Sequence, residues 1–286
     1  MPSHCASRAA TRVRLRSLLF VPADRPERFA KAAASGADAI ILDLEDAVAP
    51  ARKAVARDAV CQYLSAAQSM PTLVRVNPLT SPYHQDDLVA LAGLRFTGVL
   101  LPKAEHGRDV ARLAAATNLP ILPIATETPA AIFGLGSYGE AAQYLLGLTW
   151  GAEDLPAAIG ATTAREPDGR YTAPYEITRS LALFAAHAAG VPAIETVVPD
   201  FRELDRLAAY ARRGFRDGFA GMLAIHPAQV AVINAAFTPA PAQLEHAARV
   251  VEAFAANPDA GAVQLDGRML DAPHLRAAER LLADAR

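Results

Sequence analysis

The sequence predicts an α/β protein, a TIM (β/α)8 barrel with a C-terminal helical lid extension. Eight short runs are apolar throughout rather than alternating, as expected for strands that are buried on both faces of a parallel sheet. Alanine-rich helical stretches follow most of these runs, and eight strand–helix units within about 240 residues match the length of such a barrel. A doubly wound open sheet is the competing fold, but it usually has fewer strands and a glycine-rich phosphate loop, and the sequence contains no GxGxxG.

The predicted helices are bounded by residues that suit helix ends. Pro26 stands at the first position of one helix and Gly36 follows its last residue, which is the usual order of these two residue types. Further helices are predicted over 51–69, 107–116, 175–189, 201–213 and 227–236. The predicted strands are SLLFVP from Ser17, AIILDLE from Ala39, TLVRVN from Thr72, GVLLPK from Gly98, ILPIATE from Ile121, YLLGLTW from Tyr144, PAIETVV from Pro192 and MLAIHP from Met222.

The chain is predicted to have three parts. Residues 1–15 carry several arginines and no acid, and a disordered basic tail is favoured over a transit peptide. Residues 16–238 hold the barrel. Prolines then interrupt the chain, and residues 239–286 form the helical lid, with helices over 243–256 and 274–285.

The composition excludes several classes of partner. A net charge of −2 gives no reason to expect a nucleic acid or an acidic membrane surface. The two cysteines, Cys5 and Cys61, cannot build a disulfide framework and lack metal-ligand spacing, so a reducing bacterial cytoplasm is the expected location. No apolar run approaches the roughly 20 residues that a membrane span needs.

Charged residues stand at the carboxyl ends of most predicted strands, where a barrel enzyme has its active site. Charges in apolar strands are costly unless they are paired or bind a ligand, so the whole set predicts a site, although any single member could cap a helix or form an ion pair. These residues are Asp24, Arg25, Asp43, Glu45, Asp46, Arg75, Lys103, Glu127, Glu153, Asp154, Glu195 and His226.

Acids outnumber bases in this set, and clustered carboxylates repel one another unless a cation lies among them. Oxygen ligands without a cysteine or histidine cluster favour Mg²⁺ or Mn²⁺ over Zn²⁺. Arg75 offers a planar fork that suits a substrate carboxylate. The pattern therefore predicts a metal site that also binds an organic acid.

Motifs in their order along the chain resemble the citrate lyase beta-subunit-like branch of the HpcH/HpaI aldolase superfamily, whose members include malyl-CoA, citramalyl-CoA and citryl-CoA lyases. A lone RVN or LPK would carry no weight, whereas the ordered set at barrel spacing is specific. The matching stretches are RSLLFVPADRPERFAKA from Arg16, GADAIILDLEDAV, RVN, LLPK, ATETP, GAEDL, AIHPAQ and GRMLDAPH, which together span nearly the whole chain.

The resemblance implies a carbon–carbon lyase that depends on Mg²⁺, with coenzyme A as part of the substrate. It implies that Glu127 and Asp154 bind the metal, that Arg75 holds the oxo-acid carboxylate, and that Asp271 is the acid/base, reaching the site of a neighbouring subunit. It places the thioester and the coenzyme A phosphates at Phe20, Val21, Arg25 and Lys31, and the acyl group at Ile225 and His226. The residues expected to orient these groups without touching the metal are Asp43, Glu45, Asp46, Lys103 and Glu153.

Some of these residues have simpler explanations. His226 and Asp271 each stand just before a predicted helix and could serve only as its cap, while Arg25 and Lys31 could be solvated charges. Many members of the family have lysine where this chain has Met222 and aspartate where it has Glu195. The acyl group and the physiological direction therefore stay open.

The expected reaction cleaves, or in reverse forms, a short β-hydroxyacyl-CoA such as malyl-, citramalyl- or citryl-CoA, giving acetyl-CoA and an oxo-acid. Three rival functions stay open: a Schiff-base aldolase that uses Lys103, a metal-dependent aldolase on free oxo-acids, and a beta subunit of a multi-subunit citrate lyase acting on an acyl carrier protein. A homo-oligomer, a trimer or a hexamer, is expected.

Overall fold

The computed structural model describes residues 14–285. Most of the basic tail expected over 1–15, together with Cys5, lies outside the described residues. The chain divides into two compact units, one ending at Asn234 and the other beginning at Ala235. Among the described residues, no helix combines the length and the hydrophobicity that crossing a membrane requires.

Eight parallel strands form the first unit's sheet, in the hydrogen-bonded order β5-β4-β3-β2-β1-β8-β7-β6. Parallel bridges between Ile124 and Thr149 and between Ile121 and Leu145 join β5 to β6, and the N–H of Ala125 donates to the carbonyl of Thr149 at 2.9 Å. These contacts close the sheet into the predicted barrel. The strands are β1 Ser17–Pro22, β2 Ala39–Asp43, β3 Thr72–Arg75, β4 Gly98–Leu101, β5 Ile121–Pro123, β6 Leu148–Thr149, β7 Ala193–Glu195 and β8 Gly221–Ala224.

Aliphatic side chains from most of the strands fill the interior of the barrel. Because side chains alternate between the two faces of a strand, the second residue after an interior residue also points inward. Asp43 is the second residue after Ile41, and Arg75 is the second residue after Leu73. Both side chains therefore point inward, at the carboxyl ends of β2 and β3. The interior cluster comprises Leu15, Leu18, Ala39, Ile41, Leu73, Leu100, Leu122, Ile124, Ile194 and Leu223.

Helices cover the outside of the barrel and connect the strands. The side chain of Thr128 accepts a hydrogen bond from the N–H of Ala131, and Pro129 follows it, so this short helix has a well-formed start. The helices are α1 Phe29–Ala33, α2 Lys53–Ser65, α3 His84–Leu91, α4 Gly107–Thr117, α5 Pro129–Gly134, α6 Leu155–Ile159, α7 Ala173–Ala188, α8 Leu204–Asp217 and α9 Pro227–Ala236. Single 3-10 segments cover Pro26–Arg28, Pro50–Arg52 and Leu135–Tyr144.

The second unit contains the two expected helices, α10 Pro241–Ala255 and α11 Ala272–Asp284, and a β-hairpin that the sequence analysis did not predict. The hairpin pairs β9 Ala262–Leu265 with β10 Arg268–Asp271 in antiparallel register. Asp266 and Gly267 form its turn, and both have positive φ, at 51° and 77°. Asp-Gly between two apolar stretches is a strong hairpin signal, so this element could have been found from the sequence.

Candidate metal and substrate site

A cavity of about 290 Å³ opens at the carboxyl ends of the barrel strands. Its wall is built from the ends of several strands and the loops that follow them, where parallel barrels place their sites. Eight of the residues singled out in the sequence line it. They are Phe20, Asp43, Asp46, Arg75, Glu127, Glu153, Asp154 and Ile225.

Arg75 is fixed on one side of this cavity by Asp43. Its Nε and Nη2 atoms donate to the two carboxylate oxygens of Asp43 at 2.7 and 2.6 Å, and its guanidinium carbon lies 4.9 Å from the centre of the Phe20 ring. The Asp43 carboxylate also accepts the main-chain N–H groups of Glu45 and Ala47. Since a guanidinium has five N–H donors, three remain for other partners once Asp43 is bound.

Glu45 lies between the two cations of the site. Its Oε1 accepts from the ammonium of Lys103 at 2.5 Å, and its Oε2 lies 2.9 Å from Nη1 of Arg75. Burial raises the pKa of Glu45, and the charges of Arg75 and Lys103 oppose that rise. Burial alone would lower the pKa of Arg75, but the charges of Asp43 and Glu45 raise it above its ordinary value, so Arg75 is a permanent cation.

Glu127 is almost fully buried at the end of the β5 region. Its Oε2 accepts the main-chain N–H of Lys103 at 2.5 Å. Burial raises the pKa of Glu127 to about 8, the Lys103 N–H opposes that effect, and the negative charge of Asp154 adds to it. Gly151 packs so closely that a Cβ atom there would lie 2.7 Å from Cγ of Glu127, so glycine leaves room for this carboxylate.

The carboxylates of Glu127 and Asp154 fit a divalent cation. Both line the same cavity, and their mutual repulsion disfavours the ionised form of Glu127, which a cation between them would stabilise. Within residues 14–285 no group of three or more histidine, cysteine, aspartate or glutamate side chains is arranged around a metal position. Two carboxylates suit Mg²⁺, which usually keeps water and substrate oxygens in its remaining positions.

The loop after β8 brings Ile225 to the cavity wall and leaves His226 beside it. The ring of His226 stacks on Phe201 with centroids 4.6 Å apart. Its Nδ1 atom accepts the N–H of Ala228 at 3.2 Å, so it caps helix α9. The buried Gln229 accepts the N–H groups of both Ile225 and His226, and the sequence analysis had not singled it out.

Four predicted site residues lie elsewhere. Val21 is buried and belongs to the face of β1 opposite to the interior residues Leu18 and Phe20. Arg25 and Lys31 are exposed. Asp271 lies in the second unit, where its half-exposed carboxylate pairs with Nδ1 of His274 at 2.5 Å and forms a capping box at the start of α11.

Glu195 does not face the cavity. It is completely buried on the outer face of β7, where it accepts from Arg179 at 2.7 Å and from the hydroxyl of Tyr210 at 2.9 Å. Its Oε1 also accepts the indole N–H of Trp150, a residue that adjoins the cavity and whose buried ring lies on the same outer side of the barrel as Glu195. Glu195 therefore holds a residue of the cavity in place from the outer side of the barrel. Trp150 and Thr196 line the cavity, and the sequence analysis did not single them out.

A family model and similar known proteins indicate the same family for this chain. A family model described as HpcH/HpaI aldolase/citrate lyase matches residues 16–227. A citrate lyase subunit beta-like protein of Mycobacterium tuberculosis is 39% identical over 93% of this chain and 94% of that protein. A (3S)-malyl-CoA thioesterase of Cereibacter sphaeroides is 33% identical over 94% of each chain.

Among solved structures, the chain resembles the protein CitE of Mycobacterium tuberculosis, crystallised in complex with magnesium, acetoacetate and coenzyme A. The TM-score is 0.85 at 38% sequence identity, and the match covers 96% of this chain and 99% of the other.

Proposed function

The chain belongs to the HpcH/HpaI aldolase/citrate lyase family and is a lyase, and on that premise we propose that it acts on a short β-hydroxyacyl-CoA such as malyl-, citramalyl- or citryl-CoA. The products of cleavage are acetyl-CoA and an oxo-acid, and the reverse reaction is their condensation. The solved relative with magnesium, acetoacetate and coenzyme A supports this choice of substrate class.

The observation that carries the proposal is the placement of Arg75 in one cavity with the carboxylates of Glu127 and Asp154. Arg75 is locked by Asp43 and keeps further N–H donors for a carboxylate, while Glu127 and Asp154 would hold Mg²⁺. Bound there, Mg²⁺ would supply a Lewis acid that stabilises negative charge on the oxygens of an oxo-acid. An oxo-acid carboxylate can thus be recognised by a cation on each side.

The chain's own residues would then carry out the remaining steps. Arg75 orients the carboxylate of the substrate, and the apolar side chains of Phe20 and Ile225 at the cavity exclude water from the bond that breaks. When the Cα–Cβ bond breaks, the β-hydroxyl loses its proton to water and becomes the carbonyl of the oxo-acid, and the bonding electron pair stays on the α-carbon of the thioester, which must receive a proton. We assign that proton to Asp271, delivered from the second unit of a neighbouring subunit.

The assembly and the coenzyme A contacts belong to the same proposal. A homotrimer or hexamer in the bacterial cytoplasm would let residues 239–286 act as a lid over the 16–238 barrel of a neighbour. Arg25 and Lys31 are exposed cations that suit the phosphates of coenzyme A, whereas the buried side chain of Val21 restricts that residue to main-chain contact. Phe20, Ile225 and His226 lie at or beside the cavity that would take the acyl end.

A Schiff-base mechanism at Lys103 is disfavoured by the geometry. A nucleophilic amine must be neutral, which requires a lowered pKa. Burial acts in that direction, but the hydrogen bond and charge of Glu45 raise the pKa of Lys103 above its ordinary value. Borohydride treatment with substrate should therefore leave the protein without a trapped adduct.

One relative is a malyl-CoA thioesterase, which makes thioester hydrolysis a second candidate reaction. The two reactions yield different products, because a lyase releases an oxo-acid and keeps the thioester, whereas a thioesterase releases a free thiol. Aldol cleavage of free oxo-acids and cleavage of an acyl carrier protein thioester are two further candidates.

A single assay separates these candidates. Hydroxyacyl-CoA esters, free oxo-acids and an acyl carrier protein thioester are incubated separately with and without Mg²⁺, and oxo-acid products and free thiol are followed in parallel. We expect oxo-acid release that depends on Mg²⁺. Thiol release without oxo-acid would establish the thioesterase, and turnover only of free oxo-acids or of the carrier-protein thioester would contradict the proposal.

A further inference from the structure

Lys103 has an unusual backbone conformation directly after strand β4. Its φ is 53°, in the left-handed region that L-residues other than asparagine and aspartate rarely occupy. The other non-glycine residues with positive φ in the described chain are Asn118 and Asp266, which tolerate this region. Strain of this kind persists only where the surrounding structure holds it, and it concentrates at functional sites.

The left-handed turn lets one residue contact both proposed metal ligands. The main-chain N–H of Lys103 donates to Oε2 of Glu127 at 2.5 Å. The ammonium of the same residue lies 3.6 Å from Oδ1 of Asp154 and donates to Oε1 of Glu45 at 2.5 Å. It also lies 3.6 Å from Asp46. Lys103 thus joins the two sides of the carboxylate cluster.

The ammonium lies beside Asp154 and interacts with the charge of Glu127, so it acts on the same carboxylates that a metal would bind. A protonated lysine cannot bind a cation, and it lowers the negative potential that attracts a divalent ion. It therefore stabilises the carboxylates when no metal is present and weakens the site for a metal that arrives. The main-chain N–H acts in the opposite sense, because it holds Glu127 in place for a ligand.

We propose that the Lys103 ammonium is a built-in positive charge of the metal site, which competes with the metal for Asp154. The main-chain N–H of the same residue positions Glu127. This inference rests on the proposed function, since it takes Glu127 and Asp154 as metal ligands. In this arrangement metal entry separates the ammonium from Asp154, and Glu45 and Asp46 remain as its partners. Metal binding to the free enzyme is then weaker than the two carboxylates alone would allow.

The test measures Mn²⁺ binding to the whole protein without any organic ligand, by electron paramagnetic resonance of free Mn²⁺. Lys103→Asn and Lys103→Gly both tolerate positive φ and keep the main-chain N–H, but they lack the ammonium. We expect both to bind Mn²⁺ on the order of tenfold more tightly than the wild type, given the loss of one positive charge near the ligands. Lys103→Arg keeps the charge and should bind as the wild type does.

The outcomes separate this inference from the proposed function. Equal or weaker Mn²⁺ binding by both the asparagine and the glycine variants, with circular dichroism like the wild type, would overturn the role of the ammonium. If one of these variants does not fold, the other gives the answer. In parallel, Glu127→Gln should lose Mn²⁺ binding. If it binds as the wild type does, the metal site itself is misassigned and both proposals fail.

Discussion

Asp43 and Arg75 are opposite each other in the register of strands β2 and β3, and their side chains also form a bidentate salt bridge. The sheet therefore sets the position of the pair before any side-chain contact is made. Because both groups are nearly buried, the guanidinium has one fixed orientation, and its remaining N–H donors are directed to other partners.

Arg75→Lys should remove this geometry while keeping the positive charge. A lysine ammonium cannot form the planar fork, so we expect kcat/KM to fall roughly 100-fold, about 2.7 kcal/mol of transition-state stabilisation. Steady-state kinetics with the oxo-acid as the varied substrate in the condensation direction measures the loss. Arg52→Lys is the matched control, because Arg52 forms an exposed pair with Asp24. Similar kinetics for both variants would exclude Arg75 as the carboxylate clamp.

Gly151→Ala tests how closely the cavity is built around Glu127. The added Cβ would lie 2.7 Å from Cγ of Glu127 and 3.1 Å from Ile124, so the carboxylate must move. We expect Mn²⁺ affinity to drop roughly tenfold, since ligands out of place lose coordination energy. Gly136→Ala is the control, because nothing lies within 4 Å of a Cβ at that position. Unchanged metal affinity in both variants would show that Glu127 is not a ligand.

Removal of the metal should abolish turnover reversibly. After treatment with a chelator, we expect activity to fall roughly 100-fold or more and to return on addition of Mg²⁺, given the several kcal/mol that a metal contributes. Glu127→Ala should stay inactive after Mg²⁺ is restored, with circular dichroism like that of the wild type. Full activity of Glu127→Ala in chelator-treated buffer would refute the metal assignment.

Asp271→Asn distinguishes a helix cap from an acid/base. Asparagine caps helices about as well as aspartate, so α11 should remain intact and the melting temperature should change little. A side-chain amide cannot transfer the proton, and we expect kcat to fall roughly 100-fold or more. Retention of full activity would leave Asp271 with the capping role alone.

Mixing two inactive variants tests whether the site is shared between subunits. Asp271→Ala and Arg75→Ala proteins should each be nearly inactive, and co-assembly should restore part of the activity, because some interfaces then combine an intact Arg75 with an intact Asp271. Mixed oligomers that form but stay inactive would show that each chain supplies its own Asp271.

Glu195→Ala should affect stability more than chemistry. The substitution removes a buried partner from Arg179, which keeps its salt bridge to Asp217, and such losses cost about 3 kcal/mol or more. Urea unfolding measures the change in the free energy of unfolding. The exposed Glu140→Ala is the control and should change it by less than about 0.5 kcal/mol. A Glu195→Ala protein as stable as the wild type would contradict this structural role.

The barrel could be predicted because each of its strands is specified by a short stretch of sequence. Each strand is a short apolar run buried on both sides, and SLLFVP from Ser17 matches β1 residue for residue. Helix α3 was not predicted, because HQDDLVAL has a weak apolar face, and the pairing of Asp87 with Arg57 and Asn77 helps to hold it.

The sequence predicted which residues form the candidate site, but it did not predict the contacts that their side chains make. Strand-end position identified Arg75, Glu127 and Asp154, since all barrel strands end at the same rim. Side chains alternate between the cavity side and the helix side along a strand, and β7 is only three residues long. Ile194 points inward, so Glu195, the next residue, lies on the outer side of β7. The positive φ of Lys103 has no sequence signal at all, because lysine does not favour it.

The protein has one tryptophan, and that residue adjoins the cavity. Nearly all ultraviolet emission excited at the red edge of absorption therefore comes from Trp150. Its indole N–H is tied to Glu195 and its ring meets Tyr171 edge-on at 5.2 Å, so the fluorophore has a fixed environment before any ligand enters. The molecule thus carries its own optical reporter beside the site, and ligand entry that disturbs these contacts would change the emission intensity or wavelength without a label.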